Sequence, residues 1–152
     1  MNTLGAIFDK MLEVLLGIMG ALIFLSAIAQ VFFRYAVGDS LLWSEELGRY
    51  LFVWLVFLGA AHAVSTKGHL VINIIIQYLP GTGQRVVESI AQILMMLFFG
   101  FLAIQGFRLS AIAWNQLSPA VEIPMGIVYL VIPISALLML FNSIRVLLVS
   151  KK

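Results

Sequence analysis

The sequence predicts an all-α integral membrane protein with four transmembrane helices plus one short interfacial amphipathic helix. Three observations predict it. Four apolar stretches, Val14–Phe33, Tyr50–Thr66, Ser89–Phe107 and Ile123–Ile144, hold no Asp, Glu, Lys or Arg, and run for 20, 17, 19 and 22 residues. A helix rising about 1.5 Å per residue needs such lengths to cross about 30 Å of hydrocarbon. The composition is 62% hydrophobic and 11% charged, with mean hydropathy +1.09, whereas soluble domains carry about 25% charged residues. The connections are short, the longest running from Lys67 to Arg85, so the 152 residues read as a single membrane domain.

The first span is expected over about 12–34. Ala27-Ile28-Ala29 before Gln30 resembles a signal-peptidase site, but the apolar run is long for a signal core and continues to Phe33, and Asp9 and Glu13 spoil a basic leader. The span is therefore kept. Gly38-Asp39-Ser40 makes the turn after it. Ser44, followed by Glu45 and Glu46, reads as the N-terminus of the second helix, over about 45–66, with a side-chain oxygen for orphan amides and negative charge at the positive dipole end.

Leu70–Leu79 is strongly apolar but would rise only about 15 Å as a helix, half a bilayer. His69, Asn73 and Gln77 repeat at four-residue spacing, a narrow polar stripe that suits a helix over about 69–79 lying in the interface plane. Pro80-Gly81-Thr82-Gly83 ends it. The third span, about 86–112, can continue past Arg108 toward Trp114, which calls for tilt. Pro119 and Pro124 bracket the entry to the fourth, about 123–146, and Pro133 inside it removes an amide donor and permits a kink.

Lys and Arg sort the two sides of the membrane. With both termini in the cytoplasm, the inside receives Lys10, Lys67, Arg85, Arg145, Lys151 and Lys152 and the outside Arg34, Arg49 and Arg108; six against three favours this orientation. The absence of cysteine excludes disulfides, thiol redox pairs and cysteine-bound metal, and a net charge of +2 drawn from loops and ends gives no ground for nucleic-acid binding. No phosphate loop, nucleophile triad or metal-ligand cluster is present, so neither a cofactor nor enzymatic activity is expected.

Few residues within the spans invite chemistry. His62 reads as a neutral imidazole bonded to a neighbouring helix rather than a proton relay or haem ligand, because haem between helices usually needs a second axial ligand and His69 lies beyond the span. Ser26 and Ser135 can bond their own helix backbone, and Gln92 a neighbouring helix. Gly17, Gly20 and Ala21, then Gly59, Ala60 and Ala63, then Gly100, Ala103 and Gly106 recur at helical spacing and permit close helix approach, inside the bundle or against a partner. Near the outer ends of the first two helices, Arg34, Glu45, Glu46 and Arg49 are placed to form a paired network where two helices meet, part helix-end chemistry and part interface.

The same region carries a family resemblance. Val31-Phe32-Phe33-Arg34-Tyr35, Trp43-Ser44-Glu45-Glu46 and Arg49-Tyr50, followed by Trp54, Gly59 and Ala60, are similar to the small membrane subunit of tripartite ATP-independent periplasmic (TRAP) transporters. The likeness continues through Gly68-His69, Leu79-Pro80, Ser118-Pro119-Ala120, Ile123-Pro124, Tyr129 and Pro133; Asn73 departs from it, where the family often carries an acid. The resemblance implies a bacterial inner-membrane complex in which a large membrane subunit holds the substrate and sodium sites and moves as an elevator. It also implies a periplasmic solute-binding protein and uptake of an organic acid such as a dicarboxylate, keto acid or sialic acid. The small subunit would brace the large one, with Arg34, Trp43, Glu45, Glu46 and Arg49 as candidate partner contacts.

The residues themselves favour a scaffold, since a bundle so dry at mid-depth offers a solute no polar site. Two other readings remain. A small four-helix multidrug exporter depends on a membrane-embedded glutamate, and here Glu13 lies at the edge of the first span. A membrane anchor of a respiratory enzyme would require haem or quinone ligands.

Overall fold

The structure, a computed structural model, describes residues 3–38, 41–67 and 81–150. Apolar side chains on every side of each long segment leave the backbone no partner but itself in hydrocarbon, and helix is the conformation that satisfies it locally. Among the described residues five α-helices result: α1 (Thr3–Phe32), α2 (Leu42–Lys67), α3 (Gly81–Ile112), α4 (Met125–Tyr129) and α5 (Val131–Ser150). A π-helical turn, Phe33–Val37, prolongs α1, and a 3-10 turn, Ala113–Asn115, continues α3, which itself runs past Arg108 to Ile112. Among the described residues four segments are long and apolar enough to cross a membrane: Ile7–Val37, Leu42–Ser65, Val86–Asn115 and Met125–Arg145. The fold is thus all-α with four membrane-spanning segments. The amphipathic helix expected over 69–79, with its stripe His69, Asn73 and Gln77, lies outside the described residues.

The fourth crossing is made of two helices, and Pro133 explains the break. It has no amide to offer the Tyr129 carbonyl four residues earlier. Leu130 separates α4 from α5 at that level, donating its own N–H to Gly126 O at 3.1 Å and Ile127 O at 3.3 Å, and the regular ladder resumes when Ile134 N–H reaches Leu130 O at 3.2 Å.

The α4–α5 segment is the centre of the bundle. α5 packs against α2 and α3, and α2 packs against α1. In the most apolar window of each span, 44% of residues are buried in Met125–Arg145 but only 6% in Ile7–Val37. Among the described residues two small clusters form the interior: Met19, Leu58 and Val131 join α1, α2 and α5, while Ala61, Phe99 and Met139 join α2, α3 and α5. The chain exposes 10530 Å², against about 7,600 Å² for a compact soluble protein of its mass.

Hydrocarbon supplies no hydrophobic drive between helices, so close contact and interhelical hydrogen bonds must hold them. Gly106 sets the α3–α5 approach: a Cβ there would stand 2.8 Å from Pro133 Cδ and 2.9 Å from Pro133 N. Gly126 sets the approach of α4 to the end of α3, since a Cβ would meet Trp114 Cε3 at 2.6 Å and Ser110 O at 2.7 Å. Ser110 Oγ donates to Gly126 O at 2.8 Å across the same contact. Gln92 Nε2 donates to Ser143 O at 3.1 Å, the neighbouring-helix bond expected of it, and Ser26 Oγ bonds Ile23 O in its own helix at 2.9 Å. Ser135 departs from that expectation: it is fully buried and its hydroxyl has no partner among the described residues. The small residues divide between two roles. Gly20 meets Leu55, Gly59 meets Leu16 and Ala103 is buried, whereas Gly17, Ala21, Ala60 and Ala63 face outward.

Candidate functional site

The densest polar construction among the described residues lies at the end of the bundle where α2 begins and where α3 hands over to α4. α2 starts earlier than Ser44. Leu41 O accepts from Ser44 N–H at 3.0 Å and Glu45 N–H at 3.2 Å, so Leu42 is already helical and Ser44 is not the cap. The reason is visible in Ser44 itself, which is buried and takes Gln30 Nε2 of α1 at 3.4 Å. Gly48 lies one turn further on, its position 3.4 Å from Ser26 Oγ when measured to a built Cβ, so α1 and α2 close tightly there.

Glu46 occupies the opposite side of that turn and is 2% exposed. Its Oε2 accepts the backbone N–H of Ala120 at 2.7 Å and of Val121 at 3.1 Å, and its Oε1 accepts the Tyr50 hydroxyl. Tyr50 stands four residues along α2, which places both side chains on one face. The Tyr50 oxygen also lies 3.2 Å from Met125 Sδ, bringing the first residue of α4 into the same cluster.

The segment that supplies the two amides is a tight hairpin. Met125 N–H donates to Gln116 O at 2.8 Å, Ser118 N–H to Ile123 O at 2.9 Å, and Leu117 pairs with Pro124 in an antiparallel bridge. Ser118 Oγ accepts Ile123 N–H at 3.3 Å, and Glu122 turns the chain with φ 55. Pro119 has no N–H, so Ala120 and Val121 are the donors left at the tip, and both are aimed at one carboxylate oxygen. Unpaired amides near hydrocarbon are costly, and an anion that takes two at once fixes the hairpin onto α2.

The structure separates the residues that the sequence grouped. Glu46 is enclosed by its own chain, while Arg34, Trp43, Glu45 and Arg49 are exposed, Trp43 by 53%. The paired network expected of Arg34, Glu45, Glu46 and Arg49 does not form among the described residues. Glu46 is drawn to the backbone amides of the hairpin; among the described residues an ion pair forms instead between Asp9 and Arg145, at 3.9 Å, toward the other end of the bundle. Ser118, Ala120, Val121 and Met125 entered no site expectation. The i, i+4 pairing of Glu46 with Tyr50 was the available signal, and the long-range half had none. No group of three His, Asp or Glu suited to a metal ion occurs among the described residues.

The comparisons with known proteins agree with this architecture. Residues 9–150 match the model of the family described as tripartite ATP-independent periplasmic transporters, DctQ component. The chain belongs to the DctQ family. A protein of Haemophilus influenzae named as a TRAP transporter small permease is 32% identical over 91% of this chain and 86% of its own length. The C4-dicarboxylate TRAP transporter small permease DctQ of Rhodobacter capsulatus is 34% identical over 80% of this chain, which spans 54% of that relative. The sialic acid TRAP transporter permease SiaT of Haemophilus influenzae is 28% identical over 90% of this chain but only 22% of its own length. A DctQ chain is therefore a multi-pass small permease subunit of a transporter, not an enzyme, and in SiaT the segment similar to it is part of a longer permease. Between the readings open at the sequence, membership in the family decides for the TRAP small subunit.

Proposed function

We propose that this DctQ chain is the stationary scaffold of a sodium-driven TRAP transporter in the bacterial inner membrane. It supports an elevator-type large subunit during uptake of an organic acid delivered by a periplasmic binding protein. The observation that carries the reading is the use of Glu46: the buried carboxylate accepts from the hairpin amides and Tyr50, and so fastens the bundle instead of meeting a solute. An elevator needs a partner that resists being dragged, and a bundle with a broad apolar surface and an end clasped to its own loop meets that need.

The excess of Lys and Arg in the turns and ends assigned to the inside supports cytoplasmic termini, which puts the Glu46 clasp on the periplasmic side. There Arg34, Trp43, Glu45 and Arg49 stand exposed for contact with the large subunit or the binding protein. The relatives named for C4-dicarboxylates and sialic acid support an organic acid as the solute class. Reconstitution tests the reading. Proteoliposomes holding this chain alone are expected to show no sodium-dependent uptake, and uptake is expected once the large subunit and the binding protein are added. Uptake by the chain alone overturns it.

A further inference from the structure

Resting on the scaffold reading, we infer that the outward face of α2, the line Glu45, Arg49, Phe52, Val56, Ala60 and Ala63, is the surface on which the large permease subunit packs. These residues follow one another at three- and four-residue steps and all six are exposed. The face is fixed in azimuth from both sides. Glu46 is held by the hairpin, Leu58 and Ala61 are buried against α5, and Gly48 and Gly59 lie against α1, so α2 cannot rotate to hide it.

Three observations separate this face from the lipid-facing surfaces. α2 is the least hydropathic of the four spans, and from Glu45 to Ser65 its own chain leaves only these six residues exposed. By contrast, α1 is the most hydropathic and the least covered, which is what lipid contact requires. At mid-span the exposed surface of α3 is built of large side chains, among them Leu94, Phe98 and Phe101, and that of α5 of Leu137 and Phe141. The α2 face instead carries two alanines at one end, where another helix backbone can come close, and an acid and a base one turn apart at the other. Glu45 and Arg49 form no ion pair among the described residues. An opposite pair on the partner would complement them.

The occupant follows from the relatives. In SiaT a segment like this chain makes up 22% of a longer permease, so the remaining permease is the polypeptide that lives beside a DctQ bundle in the membrane. A helix of that subunit crossing α2 with its nearest approach at Ala60 and Ala63 would bury the stripe along its length.

The chain has no cysteine, so photo-crosslinkers can be attached at single introduced cysteines in the full complex. Phe52→Cys and Ala60→Cys are expected to crosslink to the large subunit, and Phe98→Cys and Phe141→Cys are not. Ala60→Trp is expected to lose most of the co-purifying large subunit, whereas Ala21→Trp on exposed α1 keeps it; a helical circular-dichroism spectrum matching that of the unmodified chain shows that Ala60→Trp has folded. Crosslinks from Phe98→Cys or Phe141→Cys in place of the α2 positions overturn the assignment of the face and leave the scaffold reading standing. Crosslinks from α2 to a second copy of this chain overturn it in favour of a homodimer surface. Failure of the unmodified chain to hold any large subunit overturns the scaffold reading, and this inference with it.

Discussion

Glu46 Oε2 accepts the backbone N–H of Ala120 at 2.7 Å across 74 residues of sequence. The bond joins the first turns of α2 to the hairpin that leads into α4, so helices that are distant in the chain share one fixed end. With Val121 N–H on the same oxygen and Tyr50 on the other, the carboxylate has three donors and the hairpin tip has its acceptor. A charged acceptor is suited to this task because it can take several donors at once without offering one of its own.

Replacing Glu46 tests that bond directly. Glu46→Gln keeps the shape, with a carbonyl for the two hairpin amides and an NH2 that can donate to the Tyr50 oxygen, but loses the charge that strengthens all three bonds. Expected is faster hydrogen exchange in a peptide covering residues 116–125 and a lower midpoint of thermal unfolding in detergent, with Glu46→Ala worse and Tyr50→Phe milder. Unchanged exchange at Ala120 and Val121 would show that the hairpin stands without the carboxylate.

Gly106 and Gly17 make a matched pair for helix packing. Gly106→Ala forces a Cβ against Pro133, whose ring cannot swing away, and overpacking of this kind costs about 1–3 kcal/mol. Gly17 has nothing within 4 Å of a built Cβ, so Gly17→Ala is expected to be neutral or to gain up to about 1 kcal/mol from helix propensity. Thermal unfolding of the two variants should move in opposite directions or differ by the Gly106 penalty. Equal behaviour would mean that α3 and α5 are not in the contact described.

What could be read from the sequence, and what could not, follows the range of the interactions. Spans are legible because a charge-free run is a local property, and Pro133 announced its break because the missing amide acts four residues back. Residue types point to Ser44 as the start of α2, but its hydroxyl serves Gln30 on another helix, and the helix begins at Leu42. Spacing alone groups Glu46 with its neighbours Glu45 and Arg49. Its real partners are backbone N–H groups, which every residue but proline carries, and a backbone donor leaves no mark in the residue types. Which small residues face inward was likewise settled only by the pairing of α2 with α1 and of α3 with α5.

The Asp9–Arg145 pair invites a smaller expectation. It links α1 to α5 at 3.9 Å with both side chains partly solvated, 38% exposed for Arg145 and 22% for Asp9. Pairs of that kind contribute about 0–1 kcal/mol and weaken with salt. Asp9→Asn should therefore shift thermal unfolding little, and less still at high ionic strength. A large, salt-independent loss would reveal that the pair is more deeply enclosed than its exposure indicates.

Charge reversal at neighbouring positions separates folding from assembly. Glu46→Lys places an ammonium where three donors already point, so the hairpin must open and the chain itself should be destabilised. Glu45→Lys changes an exposed residue one position away, so the isolated chain should unfold as before while its hold on the large subunit weakens. Glu88→Lys, exposed near the start of α3, should do neither. Reversing Glu45 and Glu46 together should combine both losses and exceed the Glu88 change in transport as well as in stability. Thermal unfolding of the isolated chain and co-purification with the large subunit measure the two effects apart. If Glu45→Lys matched Glu88→Lys in both, the acid would be an ordinary helix-end charge, and the surface that α2 presents would have to draw its partner through Phe52, Val56 and the alanines alone.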